Sequence, residues 1–498
     1  MELRLYEEMS SQVDGVAEEQ GRPLLGHDYD SSILIVHQNE DTIFPLPSNH
    51  TDKASPSLSV PNQRLASLDV FRGLTVALMI LVDNVGRAFP SLNHSPWFGV
   101  TLADFVMPFF LFVVGVSIGL VFKKVSRSRK PDATKKVILR TIKLFVLGLL
   151  LQGGYFHGRG NLTYGVDLSK IRWFGVLQRI SIGYFLASIS EIWLVNNNIL
   201  VDSPAAFVRK YSIQWMFSIL LCSVYLGLLY GLYVPNWKFE HSNALWTSHL
   251  SIIQNVHCEV RGSLEPPCNA VGFIDRLILG EDHVYQHPVY RRTKECSVNS
   301  PDYGPLLPNS PGWCLAPFDP EGILSSLMAA ITCFVGLQYG HIIVLLQSHK
   351  QRVLLWSVFS FSLLLIGYIL EILGIPLSKA LYTLSYMCIT TGASGLALIS
   401  IYYIVDIEHL RKPTVLFQWM GMNALVVYAL AACDIFPAII QGFYWQSPEN
   451  NLVDASEALI QTIFHSEKWG TLAFVIVEIL FWGLFAGFLH KKGIYIKL

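Results

Sequence analysis

The sequence predicts an all-α, polytopic membrane protein with about ten transmembrane helices, and two observations carry that reading. Hydrophobic residues make up 52% of the 498-residue chain and charged ones 15%, against about 45 to 50% and about 25% in ordinary soluble proteins. Apolar stretches of roughly 20 residues, the length needed to cross bilayer hydrocarbon, also recur along most of the chain. With 36 Lys+Arg against 37 Asp+Glu the formal charge is −1, so no global field exists to hold nucleic acid, and none is expected as a partner. Eight cysteines with no CxxC pair exclude a disulfide scaffold and the usual zinc and thioredoxin signals.

Residues 1–63 are polar, with Glu7, Glu8, Glu18, Glu19 and scattered Pro, and read as a disordered cytosolic tail with no secretory signal. Glu19-Gln-Gly-Arg-Pro23-Leu24-Leu25 is similar to acidic dileucine signals, which direct membrane proteins to lysosomes or vacuoles. Residues 64–498 form the membrane domain, with 236–320 as an inserted loop. The expected spans lie near 66–86, 103–122, 138–154, 174–195, 214–234, 322–346, 353–373, 380–405, 415–435 and 471–490.

The first span is heavily loaded with charge. Asp69 and Arg72 stand three residues apart on one helical face, and Asp83 and Asn84 follow almost four turns further on. An ionisable group at mid-membrane costs about 2.5 to 3.5 kcal/mol on insertion scales, so each needs a partner, water or a function. Asp69 and Arg72 read either as an internal ion pair or, with Arg64 at the entrance, as a guanidinium site for an anionic ligand. Before the second span, NHSPWFGVTLAD places His94, Trp97 and Asp104 at the membrane boundary. His94 suits a base or an acyl carrier, Trp97 an aromatic-belt anchor, and Asp104 a carboxylate that fixes the tautomer of His94.

The loop into the third span carries Lys123, Lys124, Arg127, Arg129, Lys130, Lys135, Lys136 and Arg140, and later alternate loops carry Arg209-Lys210, Lys350, Arg352, Arg411-Lys412 and Lys491-Lys492. Basic loops stay in the cytosol, which puts both termini there and the loops 87–102, 155–172, 236–320, 374–379 and 436–470 in a lumen or outside the cell. Asn161-Leu-Thr163 is then a glycosylation sequon on the luminal side. The fourth span opens with Arg172, and Gln178 and Arg179 lie deeper; the two arginines share a face and suggest a polar cavity. The 236–320 loop holds Cys258, Cys268, Cys296 and Cys314, for which one or two disulfides and three pairings are open. Glu371, Asn423, Asp434 and Glu478, in the later spans, read as buried hydrogen-bonding groups. Nucleotide, zinc-peptidase and serine-hydrolase motifs are lacking, and no metal is indicated.

RLASLDVFRGLTVALMILVDN, NHSPWFGVTLADFVMPFFLFVVG, IRWFGVLQRISIGYF, VGFIDRLILGEDHVYQHP and FDPEGILSSL, in that order, resemble the heparan-alpha-glucosaminide N-acetyltransferase family, within the wider group of transmembrane acyltransferases. That resemblance covers roughly residues 64–490. It implies a transmembrane acyltransferase-like bundle that moves acetyl from cytosolic acetyl-CoA to the amine of a luminal amino sugar, with His94, Asn84 and Asp104 as catalytic residues. Arg64, Asp69, Arg72 and Arg179 then fall to acetyl-CoA, and Arg172, Gln178 and Trp97 to the acceptor. Acetyl-histidine and direct transfer both stay open. Departures from the family are the tail, which replaces a luminal domain and an extra span, and an insertion around RRTKECSVNSPDYGPLLPNSPGWC, which is well placed to cover an acceptor. Exposed apolar spans in membrane lipid would permit a homodimer. The alternative is a secondary transporter using Asp69, Arg72, Asp104 and Arg179 as a path, although transporters often show two similar halves and the polar motifs here crowd into residues 64–180.

Overall fold

A computed structural model describes residues 65–496, apart from 87, 124–126, 153–170, 197–198, 200–203, 243–250, 286–288, 302–303 and 434. The tail, Arg64, the Asn161 sequon and Asp434 lie outside the described residues. A helix stands at each of the ten expected segments: α1 (Ala66–Val85), α2 (Leu102–Val121), α3 (Lys130–Gln152), α4 (Val176–Trp193), α5 (Pro204–Gly231), then after a short α6 (Ala270–Leu279), α7 (Ile323–Leu345), α8 (His349–Ile372), α9 (Leu384–Tyr402), α10 (Val415–Met422) with α11 (Ala424–Ala432), and, after α12 (Ile435–Gln441) and α13 (Leu452–Phe464), α14 (Glu467–Lys491).

The expected count of ten spans is met in part. Among the described residues six helices are long and apolar enough to cross a membrane, or seven if the bent pair α10 and α11 counts as one. The shortfall has a physical origin: α1 carries Asp69, Arg72 and Asp83, α3 opens with a run of Lys and Arg, and α4 holds Arg179 and Glu191. These three are helices whose charge must be met inside the bundle or at its surface.

Helix α7 is the axis of the bundle, with 83% of its apolar window buried, against 17% for α5 and α8, whose apolar faces are left for lipid. It packs on α2 through small residues from both sides. A Cβ on Gly115 would stand 2.0 Å from the Cys333 carbonyl oxygen, and one on Gly336 2.1 Å from that of Phe112. Gly119 and Gly340, one helical turn along each partner, continue the contact, so two GxxxG faces meet and the backbones touch. Between α10 and α11 the chain turns through 84°. Asn423 at that break is buried, and its side chain accepts from the Ile496 N–H and donates to the Ile494 carbonyl, tying the segment after α14 to the break.

The described residues between 232 and 322 form a folded cap on the end of the bundle that holds His94. Trp237–Ser242 and Ser251–Val256 pair as an antiparallel hairpin, and α6 lies beside it. Disulfides join Cys258 to Cys268 and Cys296 to Cys314, which resolves the pairing the sequence left open. Trp97, Tyr290 and Phe318 pack ring against ring at 5.2 Å beneath this cap.

Candidate active site

The site is built from the start of α2. Asp104 at its third position reaches back to accept from the Thr101 N–H at 3.0 Å and the Ser95 N–H at 3.1 Å, both on Oδ2. A carboxylate there caps free N–H groups and meets the positive end of the helix dipole, which explains a charged residue just inside a span. Its other oxygen, Oδ1, lies 2.8 Å from His94 Nδ1. Since Oδ1 can only accept, Nδ1 carries the proton and Nε2 is the basic nitrogen. The ten-residue separation of His94 and Asp104 is closed by a turn in which the Thr101 hydroxyl donates to the Asn93 carbonyl.

Two cations from distant segments grip the histidine. Arg292, in the insertion, is buried and donates to the His94 carbonyl and to Asn93 Oδ1, both at 2.6 Å. Lys379, in the turn between α8 and α9, puts Nζ 3.0 Å from His94 Nδ1, 3.2 Å from Nε2 and 3.9 Å from Asp104 Oδ1. Burial, and then the charge of Lys379, lowers the His94 pKa from its ordinary value, while Asp104 opposes both. His94, Lys379, Asp83 and Glu321 share a cavity of about 130 Å³ whose other walls include Met79 and Phe110. It has room for a few waters or an acetyl-sized group.

Glu321 connects this cavity to the paired arginines. Arg172 makes a two-pronged bond to Asp319, at 2.8 and 2.6 Å, and a third bond to Glu321. Burial disfavours the charge on Arg172, but Asp319 and Glu321 outweigh it and raise its pKa. Burial likewise works against the Glu321 charge, and Arg172 and Arg179 overcome it, holding the carboxyl at about 2. Arg179, buried one helical turn into α4, donates to the Pro320 carbonyl and the Ser325 hydroxyl. Gln178 donates to Gln152 of α3. Beside them Asp275 accepts the Ile323 N–H, and its burial raises its pKa to about 7.

The remaining expected residues lie elsewhere. Trp97 is buried, its indole N–H on the Leu264 carbonyl, so it is part of the core under the cap and not a belt anchor. Asn84 donates to Glu478 of α14 at 2.9 Å; its neighbour Asp83, and not Asn84, lines the cavity. Arg72 pairs with Asp69 at 2.8 Å and donates to Ser117 of α2. That pair stands roughly 16 Å along α1 from Asp83 at 1.5 Å per residue. Of the later candidates, Asn423 and Glu478 are buried whereas Glu371 is exposed.

Sequence reasoning missed Lys379, Glu321 and Arg292. The available signal for Lys379 was a lone lysine in a turn expected on the luminal side, where basic residues are scarce. For Glu321 and Asp319 it was an acidic pair directly before an apolar run, within FDPEG.

Residues 64–236 match the family model "Heparan-alpha-glucosaminide N-acetyltransferase, catalytic". The chain is similar to the heparan-alpha-glucosaminide N-acetyltransferase of Mus musculus, 28% identical over 436 residues, which cover 84% of this chain and 60% of that protein. The Homo sapiens protein of the same name is 27% identical over 440 residues, covering 85% and 60%. The chain thus spans about 60% of the length of the curated relatives it matches. The resemblance read from the five motifs is upheld by both comparisons.

Proposed function

We propose that this chain is a membrane-embedded acetyltransferase that moves acetyl from acetyl-CoA to the amine of an amino sugar, a terminal α-glucosaminide or a close analogue. The observation that carries the reading is the His94–Asp104 pair, 2.8 Å apart, on a cavity large enough for an acetyl group. An amine attacking a thioester must lose a proton as negative charge develops on the carbonyl oxygen. With Nδ1–H given to Asp104, His94 Nε2 takes that proton. Asp104 stays ionised, holds the tautomer and balances the imidazolium as it forms.

The donor and acceptor reach this point from opposite sides. Arg72, a third exposed and braced by Asp69, offers a guanidinium to the CoA phosphates at the far end of α1, with Arg64 beyond it in sequence; a long pantetheine arm running along α1 brings the thioester to His94. The acceptor enters under the cap, where Arg172 and the carboxylates around it provide polar walls. In this topology the basic loops and both termini face the cytosol and His94 faces a lumen, with the dileucine signal favouring a lysosomal or vacuolar membrane.

The test is transfer from labelled acetyl-CoA by full-length protein in detergent, with glucosamine and glucosamine-terminated oligosaccharides, beside His94→Ala. Transfer that the substitution abolishes while the protein keeps its melting profile and binds CoA supports the reading. Binding of CoA without transfer removes the amino-sugar acceptor, and failure to bind CoA removes the acetyltransferase in favour of transport.

A further inference from the structure

Lys379 is the least expected member of the site. Lysine side chains are flexible and usually solvated, yet here the backbone on both sides is fixed. The Gly99 N–H donates to the Leu377 carbonyl at 2.8 Å, stitching the turn to the histidine loop. The Tyr382 N–H bonds back to the Lys379 carbonyl, and the Thr383 hydroxyl donates to Pro376. A lysine that only neutralised Asp104 would sit closest to the carboxylate. Nζ is instead 3.0 and 3.2 Å from the imidazole nitrogens and 3.9 Å from Asp104.

We propose that Lys379 is a positioning residue whose fixed positive charge keeps His94 neutral, with Nε2 unprotonated, so that the histidine still works as a base in acid surroundings. The kinetic part of this rests on the acetyltransferase reading; the electrostatic part does not. An aspartate alone beside a histidine favours the imidazolium. At this site the groups facing His94 are Asp104 from α2, Lys379 from the α8–α9 turn and Arg292 from the cap, with Asp83 of α1 and Glu321 across the cavity. Protonating His94 would set two cations 3.0 Å apart, with the Arg292 guanidinium bonded to the same residue's carbonyl. Burial works against the Lys379 charge and lowers its pKa, and Asp104, Glu321 and Asp83 oppose that lowering. Burial and Lys379 together lower the His94 pKa, below the roughly 6.5 of a free histidine.

The experiment reads the protonation of His94 without turnover. Diethyl pyrocarbonate modifies only unprotonated imidazole, so its rate at His94, followed by peptide mass spectrometry of the full-length protein between acid and neutral pH, gives the midpoint directly. Lys379→Met is expected to move that midpoint up by about one pH unit or more, and Lys379→Arg to leave it near the wild-type value. Lys379→Gln serves where the methionine variant does not fold. The acid limb of kcat/KM shifts upward in parallel, because a more basic His94 is lost to protonation at higher pH. An unchanged midpoint in folded Lys379→Met or Lys379→Gln overturns the proposal. So does acetyl recovered on Lys379 after incubation with acetyl-CoA, since a neutral amine there would be a nucleophile and not a fixed charge. Should no acceptor be acetylated, the function falls while the modification profile still decides the role of Lys379.

Discussion

Replacing Asp104 with Asn keeps the shape of the side chain and changes one group, and the structure fixes which one. Oδ2 receives two backbone N–H groups, from Ser95 at 3.1 Å and Thr101 at 3.0 Å. An amide NH₂ cannot face two donors, so the amide oxygen takes that place and the NH₂ turns to His94 Nδ1. The imidazole then accepts at Nδ1 and carries its proton on Nε2, where the base was needed. A wrong tautomer of this kind lowers kcat by about 10³ to 10⁴, or roughly 4 to 5 kcal/mol. The two backbone bonds survive as neutral ones, at a stability cost of about 1 to 3 kcal/mol. Transfer from labelled acetyl-CoA and thermal unfolding of the same preparation separate the two effects. A folded Asp104→Asn enzyme with kcat within threefold of wild type would refute the assignment of Nε2 as the base.

Four further outcomes follow from the geometry. Arg172→Gln leaves the buried Asp319 and Glu321 without their partner and is expected to cost about 3 to 5 kcal/mol in unfolding, with Arg172→Lys recovering only part because the two-pronged bond is lost. Gly421→Val would drive a side chain into the Asp69 carbonyl, which an added Cβ already meets at 1.7 Å; it should cost about 3 kcal/mol or more and lower the yield of folded protein, read by size exclusion in detergent. Asp275, with a folded pKa of about 7 against roughly 3.9 unfolded, stays protonated in the fold over that interval, so its contribution is most favourable at low pH and is lost as pH rises from about 4 through 7. Asp275→Asn should remove that slope, up to about 4 kcal/mol, so that its melting temperature exceeds the wild type's most at pH 7 to 8 and converges with it near pH 4. Arg292→Ala removes both bonds to the histidine loop and should lower kcat about 10- to 100-fold, a loss measured at saturating acetyl-CoA.

The part of the site that was legible in the sequence is the part written locally. His94 and Asp104 lie in one segment, and a carboxylate inside a span is improbable without a partner, so pairing them needed only chain proximity. The ion pair of Asp69 and Arg72 was legible for the same reason. Arg172 and Arg179 announced a polar region, but their partners Asp319, Glu321 and Ser325 come from the entry to α7 and its first turn, 146 to 149 residues away, and spacing alone cannot supply a contact at that distance. Lys379 was hidden because a lysine beside a span reads as a boundary marker. The belt-anchor alternative for Trp97 failed because the cap, invisible to periodicity, turns that membrane boundary into a protein interior. Asn84 carries one amide, and its hydrogen bond to Glu478 comes from the last helix of the chain. Three of the ten expected spans fall outside the six or seven apolar ones among the described residues, because an apolar period marks a helix against any dry surroundings; a charged helix inside a bundle and a lipid-facing one share that signature.

The contact between α2 and α7 has a consequence for how the molecule is made. About 200 residues separate the two helices, some 10 to 40 seconds of translation at roughly 5 to 20 residues per second. Throughout that interval α2 stands in or near the membrane with the notches at Gly115 and Gly119 unfilled; Arg292 and Glu321 are added only towards its end, and Lys379 after it. The histidine and aspartate are synthesised early but become a site only once the chain passes Lys379. Nascent chains halted short of that point would carry His94 and Asp104 without the cations that grip the histidine in the finished fold.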